Sequence, residues 1–322
     1  MKAFLRQAAL FVLIGLGIYA LVYYGAERLN DRYAGKNSFH AAAAASRDGY
    51  DYVILGASHA QALGYEDGNE RLQQQTQLRI INLSTPGGGL VPNRLLLDYL
   101  LARSSAASVV YVLDSFVFYS REWNEDRLKD VRLFRRAPFD PALARLLLRY
   151  GARGEASFGV ALDYVSGFSK INNPERFKPD VSEDELKRFG RVHRPSSQDA
   201  KRVQYLYPAG MDEQAFSRYL SMFRDLVGEL KSRGIGLIVV RPPIPQRFYD
   251  MIPGEAQFDR RIEALLEEQG IPLYNFALVD NDPRYFFDSD HLNRAGVLNF
   301  FDRHLAQLLI RHRKSARLIQ AG

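Results

Sequence analysis

The chain has 322 residues, 47% hydrophobic and 25% charged, with a formal net charge of +6, which suits one large globular domain with room for an insertion and argues against a disordered chain. It contains no cysteine, which excludes disulfides, cysteine-based zinc sites and thiol nucleophiles and leaves chemistry to serine, histidine and carboxylates. The positive charge gathers at Arg311, Arg313, Lys314 and Arg317 and around Arg132, Arg135 and Arg136. That is either a solvated surface or an affinity for anionic headgroups or an acidic polymer; no nucleic-acid motif accompanies it.

From Ala8 to Ala26 no residue is charged, and at ~1.5 Å rise per residue such a helix spans roughly 30 Å of hydrocarbon. The segment 1–26 therefore reads as a cytoplasmic tip and a transmembrane anchor. Lys2 and Arg6 precede it, Tyr19, Tyr23 and Tyr24 crowd its far end, and Glu27, Arg28, Asp31 and Arg32 nearly cancel. By the positive-inside rule the N-terminus is cytoplasmic and the rest of the chain extracytoplasmic. A cleaved signal peptide is the rival reading, but the small residues Ala41 to Ala45 lie far beyond an apolar run already longer than a usual signal core.

A connector, 27–49, leads to an α/β domain over 50–311, with 312–322 as a basic tail. Tyr52 to Leu55 is a short apolar run bounded by Gly56, the pattern of a buried strand entering a turn. Similar runs at Leu78 to Leu83, Ser108 to Leu113, Ile235 to Val240 and Ile271 to Phe276 alternate with segments of helical period. The expected fold is three-layered, a parallel sheet flanked by helices on both faces.

Asp212 is placed to cap a helix carrying the stripe Phe216, Leu220, Phe223, Val227 and Leu230, with Gly234 as its stop. A last helix, Arg294 to Ile310, turns Val297, Phe301, Leu305 and Leu308 inward. Between about 121 and 210 this rhythm fails in Arg- and Tyr-rich sequence containing Pro138, Pro174, Pro179, Pro195 and Pro208. This stretch reads as a helical or irregular insertion over the sheet, shaping substrate access.

Ser58, in Gly56-Ala57-Ser58-His59, follows the first strand and opens a helix, which sets its hydroxyl at the carboxyl edge of the sheet, where open α/β folds bind ligands. A serine there also fits as a plain helix cap. Ala60 breaks the Gly-x-Ser-x-Gly nucleophile elbow of ordinary α/β-hydrolases. Far along the chain, Asp288-Ser289-Asp290-His291-Leu292-Asn293 spaces a carboxylate and an imidazole so that one loop turn can bring Asp288 to Nδ1 of His291. The plainer alternative is that Asp290 or Asn293 caps the last helix and His291 is an exposed loop residue.

Taken together, these two segments resemble the first and last blocks of the SGNH/GDSL hydrolase superfamily, with Ala57 where an aspartate is common. The resemblance runs sparsely from about Tyr52 to Ile310. It implies Ser58 as nucleophile, His291 as general base and then acid, and Asp288 as the orienting carboxylate, with no metal and no organic cofactor. It also implies an oxyanion site of the Ser58 N–H, a glycine N–H and an asparagine side chain. Gly87, in Asn82-Leu83-Ser84-Thr85-Pro86-Gly87-Gly88-Gly89, takes the glycine position, unless those glycines merely form a turn. The family's Gly-x-Asn-Asp block is missing. The third strand ends Leu113-Asp114-Ser115-Phe116, where an ionised Asp114 would repel an oxyanion and Ser115 could donate instead.

His59, Arg241 and Trp123 are candidate substrate contacts. A catalytic role for His59 is disfavoured by its adjacency to Ser58, and Arg241, ahead of a proline run, could equally be paired with a nearby acid. Phe116, Phe118 and Tyr119 could join Trp123 in stacking on sugars or lining an acyl channel, or fill the core.

The N-terminal anchor is similar to that of the DltD-like and exopolysaccharide O-acetylation branch. It implies a bacterial inner-membrane protein acting on an acyl ester, chiefly O-acetyl, of an envelope polysaccharide or acylated carrier, with a membrane acyltransferase as a plausible partner. A catalytically weak polysaccharide-binding scaffold and a surface lipase or phospholipase are the competing expectations.

Overall fold

The five apolar runs become one sheet in the computed structural model, which describes residues 1–33, 37–178, 181–195 and 197–321. The strands are β1 Tyr50–Leu55, β2 Ile80–Asn82, β3 Ala106–Val112, β4 Gly236–Arg241 and β5 Leu273–Asn275. They lie in the order β2-β1-β3-β4-β5, every pair parallel, with Ile54 opposite both Asn82 and Val110. β2 and β5 are shorter than their apolar runs because they are the edge strands, bonded along one side only.

Alternation along the strands divides the core into two layers. Val53, Leu55, Val109, Tyr111 and Val239 face the helices Leu90–Leu101, Glu213–Ser232 and Glu255–Glu268. Tyr52, Ile54, Val110, Val112, Ile238 and Val240 face the C-terminal helices. This is the three-layer α/β arrangement expected. From β1 the chain passes to β2 on one side, whereas β3 to β5 extend on the other, so the order reverses between β1 and β3, and the crevice at that reversal is where such sheets bind ligands.

Asp212 Oδ1 accepts from Gln214 N and Ala215 N at 2.9 and 3.0 Å and caps the helix Glu213–Ser232. Phe216, Phe223, Val227 and Leu230 are buried as expected; Tyr219 and Leu226 widen the stripe, and Leu220 is only half-buried.

Three expectations are corrected. The helix expected to stop at Ile310 continues from Ala306 to Ala321 after a π-helical turn at Phe301–Leu305. The tail therefore prolongs this helix, and Arg313 ties it to Asp51 of β1 at 2.7 Å; the side chain of Arg317 lies outside the described residues. Nor does the chain break after Ala26. One helix, Lys2–Tyr33, takes in the anchor and the first part of the connector, and the rest of the connector packs through the helix Ser38–Ala43, whose Phe39 and Ala42 are buried. The apolar part of Lys2–Tyr33 has a mean hydropathy of 2.0 with none of it buried, long and apolar enough to cross a membrane.

The insertion is also more than a cap. Its described residues form short helices, including Pro141–Ala152, Phe158–Ser166, Val181–Leu186 and Gln198–Leu206; Pro179 lies outside the described residues. Leu143, Leu147, Tyr150 and Tyr164 join the main core. Tyr150 and Tyr99 clamp this first half to the sheet's helix layer, donating to Asp98 and Asp140 at 2.9 Å each. The second half returns across the carboxyl edge of the sheet, where His193 N donates to Phe286 O and Arg294 N to Phe189 O at 2.8 and 2.9 Å.

Candidate active site

β1 delivers Ser58 through a turn that demands small residues. Gly56 has φ +151°, and a Cβ there would lie 2.7 Å from both Ala60 Cβ and Val112 O. Glycine is therefore needed at 56, and its missing side chain makes room for Ala60 where the ordinary elbow carries a second glycine. Ser58 then begins the short helix Ser58–Ala62, with its own N–H among the first-turn donors that have no intrahelical acceptor.

The loop before the last helix meets it. Ser58 Oγ lies 2.8 Å from His291 Nε2, and His291 Nδ1 donates to both Asp288 oxygens at 3.0 Å. Asp288 Oδ1 also accepts from the backbone N–H groups of His291 and Asp290 at 2.9 and 3.1 Å, so the loop folds around its own carboxylate. Asn293 Oδ1 caps the following helix at Gly296 N, 2.9 Å. The plainer alternative is thus half realised: the cap exists, but His291 is buried rather than exposed.

Burial pulls the pKa of His291 down, but the charges of Asp288 and Asp290 outweigh it and hold it above the ordinary histidine value. For Asp288, burial pushes upward and the neighbouring His291 more than offsets it, leaving the carboxyl below its usual range. A carboxylate on Nδ1 and a hydroxyl on Nε2 select the tautomer that can take a proton from serine.

A second histidine–aspartate pair stands beside the first. His59 Nδ1 donates to Asp114 Oδ1 at 2.6 Å and Nε2 to the Asp290 carbonyl oxygen at 3.1 Å. Both nitrogens face acceptors, so the ring carries both protons. Burial lowers its pKa, but Asp114 and Asp290 override this and raise it to about 10. Asp290 is fully buried, with the Arg202 guanidinium on both carboxylate oxygens at 3.1 Å. Burial pushes its pKa up, and Arg202, His291 and His59 together drive it well below the usual range.

His59, Asp290 and His291 place ligand-type atoms within 4.8 Å of one another, yet each imidazole nitrogen is already engaged. The set fits a hydrogen-bond network better than a cation site.

A cavity of about 370 Å³ opens over Ser58, lined by Gly87, Phe116, Trp123, Tyr205 and the charged Glu122, Asp126, Arg127, Asp130, Arg132, Glu185 and Arg202. Gly87 has φ +60°, and a Cβ there would meet the Trp123 ring at 2.9 Å. Among the described residues no acceptor is hydrogen-bonded to its N–H, as an oxyanion donor requires. Asn93 Oδ1 accepts from Gly56 N at 3.2 Å, and its Nδ2 donates to Gly88 O at 3.0 Å, which pins the turn before Ser58 to the glycine loop.

Of the expected substrate contacts the cavity keeps Trp123, whose Nε1 donates to Leu206 O at 3.0 Å. His59, Arg241 and Ser115 line a separate cavity of about 20 Å³ instead. Arg241 is buried in ion pairs with Glu255 and Asp259, and Ser115 Oγ is hydrogen-bonded with Tyr207 Oη at 2.7 Å. Neither is directed at Ser58, because each is consumed by a buried partner. Phe118 and Tyr119 pack in the core against Phe216 and Phe258.

Sequence reading missed Arg202, Asp290 as its partner, the His59–Asp114 pairing and Asn93. The Asp290 position was visible inside the aspartate–histidine block; nothing in the spacing ties Arg202, some ninety residues earlier, to it. No protein-family model matches the chain, and no curated protein is a detectable relative.

Proposed function

We propose that the chain is an SGNH-type serine acyl-ester hydrolase or acyltransferase, held in a bacterial inner membrane by its N-terminal helix with the α/β domain on the extracytoplasmic side. The observation that carries this reading is the unbroken relay Ser58–His291–Asp288, in which a 2.8 Å contact joins Ser58 to His291 more than two hundred positions away and a 3.0 Å contact joins His291 to Asp288 within one loop. Such a relay activates a hydroxyl for attack.

His291 takes the Ser58 proton as Oγ attacks an acyl carbonyl carbon. The resulting oxyanion is met by the N–H groups of Ser58 and Gly87. His291 then returns the proton to the departing alcohol or thiol oxygen or sulfur, leaving an acyl-serine. Water, or a sugar hydroxyl, is deprotonated by the same imidazole and takes the acyl group. Asp288 keeps the ring oriented and stabilises the imidazolium throughout.

An O-acetyl group on an envelope polysaccharide or acylated carrier suits the cavity, whose charged rim and the aromatic rings of Phe116, Trp123 and the exposed Tyr205 favour a polar, ring-shaped substrate. The charged lining speaks against a lipase, which would want a deep apolar slot. A scaffold that binds polysaccharide without turnover draws on one observation: Asp114, two residues past the end of β3 and bound to His59, stands where the superfamily carries an oxyanion asparagine.

Incubation of the detergent-solubilised full chain with an activated acetyl ester, native against Ser58→Ala, decides between enzyme and scaffold. Turnover by the native protein that Ser58→Ala loses supports the enzyme. Equal rates would sink it. Adding an oligosaccharide acceptor then separates transfer from hydrolysis by the mass of the product.

A further inference from the structure

The insertion presents an apolar surface that the ester chemistry does not use. In the helix Phe158–Ser166, Val160, Ala161 and Tyr164 are buried inward, yet the opposite side is apolar too. Phe158 is 60% exposed, Leu162 70%, Val165 44% and, just beyond the helix, Phe168 62%. A helix facing water on one side carries polar residues there; one that is hydrophobic all round is surrounded by apolar material. Between Ala156 and Ser169 the one charged residue is Asp163, whose Oδ1 accepts from Ser169 N and Oγ at 3.1 and 2.7 Å.

What lies against this face follows from where it is attached. Tyr19 Oη donates to Ser166 O at 3.0 Å and Tyr23 Oη to Tyr164 O at 3.4 Å. One side of the same helix continues with Glu27 paired to the buried Lys170 and Asn30 Nδ2 donating to Arg135 O at 2.8 Å. The contact therefore follows the helix for about 16 Å of its length. Tyr19 lies inside the uncharged stretch, about 10 Å below its last residue, Ala26, and helical side chains lean toward the N-terminus, so its hydroxyl reaches deeper still. The stretch from Ala8 to Ala26 is about 28 Å long, just enough for the hydrocarbon core, so the helix cannot slide outward to lift Tyr19 clear.

We propose that the face formed by Phe158, Leu162, Val165 and Phe168 is immersed in the outer leaflet of the membrane crossed by the N-terminal helix, at the boundary of headgroups and acyl chains. The occupant is lipid because the face is continuous with the unburied anchor at the level of its tyrosines, where amphipathic helices rest in the interface. The α/β domain is then held at two places and cannot swing about a single tether, which sets the height of the Ser58 cavity above the bilayer. This inference rests on the N-terminal helix crossing a membrane and is independent of the chemistry at Ser58.

Because the chain has no cysteine, single nitroxide labels report cleanly. The full chain is reconstituted in phosphatidylcholine–phosphatidylglycerol nanodiscs with one cysteine at a time, Leu13→Cys, Leu162→Cys, Phe168→Cys or Val192→Cys. Collision of each label with dissolved oxygen and with a water-soluble nickel chelate is then measured. Labels at 162 and 168 are expected to favour oxygen several-fold, as at 13, while the label at 192, exposed on the insertion's other half, favours nickel. Nickel-favouring labels at 162 and 168, with 13 still in lipid, overturn the proposal and leave the anchor standing. Labels at 162 and 168 shielded from both reagents also overturn it, because a protein surface, not lipid, then covers the face. Nickel access at 13 as well removes the anchor and the proposal together.

Discussion

The two histidines at the site, with ring centroids 4.8 Å apart, each have an aspartate at Nδ1, but different atoms at Nε2. His291 meets the Ser58 hydroxyl, a group that can both give and take a proton. His59 meets a backbone carbonyl, which can only accept. The first ring is therefore free to exchange a proton and the second is locked in its charged form, so the same residue pair makes a base in one place and a fixed cation in the other. Asp290 joins the two sides, touching His59 through its carbonyl and approaching His291 Nδ1 at 3.4 Å through its carboxylate.

The sharpest way to break this comparison is to remove each imidazole in turn. His291→Gln is expected to lower acyl-ester turnover by on the order of 10⁴-fold or more with the fold retained, since loss of a triad base alone removes most of such catalysis; steady-state rates on an activated ester, with circular dichroism for the fold, check it. If the native rate against pH is followed, its acidic limb should have its midpoint above about 6.5, because His291 must be neutral to act and its pKa is raised.

His59→Gln should act on stability first. The pKa of His59 is raised to about 10 when folded against about 6.5 unfolded. The stabilisation it brings is fully present below about 6.5 and is lost as pH rises through about 10, amounting to a few kcal/mol. Thermal melts of the native protein should therefore fall across that window and those of His59→Gln should not follow. Parallel slopes in the two proteins would show that His59 is not the locked cation described above.

Arg202→Ala leaves Asp290 buried without its guanidinium, which is expected to cost about 3–5 kcal/mol of stability, read as a lowered melting temperature, and to slow turnover. The removed positive charge no longer opposes protonation of His291, so the acidic limb of the rate profile moves to higher pH, and Arg202→Lys recovers part of these effects. An unchanged limb would make Arg202 a structural strap alone. The smallest effect belongs to Gly87→Ala, which places a Cβ in the left-handed region against Trp123 and should cost about 1–2 kcal/mol. It is read as a lowered melting temperature with turnover reduced through the displaced N–H.

Much of this molecule is visible in single-letter patterns because local physics writes them. The strand runs, the capped stripe after Asp212, the uncharged stretch to Ala26 and the two blocks around Ser58 and His291 each rest on periodicity, propensity or spacing within a few residues. Where two elements compete for one side chain, that locality fails. Arg241 and Ser115 lie at the carboxyl edge of the sheet as expected, but Glu255 and Tyr207 claim them, and the identity of a buried partner is set by packing rather than by neighbours in sequence.

The amino-acid sequence by itself determined a five-run α/β core, a helix fit to cross a membrane, and a serine, histidine and aspartate in positions where a turn and a loop could present them. Only the tertiary structure decided that these three meet at hydrogen-bonding distance and that His59 is tied to Asp114. It also decided that Arg202 reaches the same loop from the insertion, and that the insertion's apolar side lies level with Tyr19. The reason is physical: a pattern fixes which face of an element is apolar, whereas the pairing of charges and the depth of a surface depend on how distant elements are brought together.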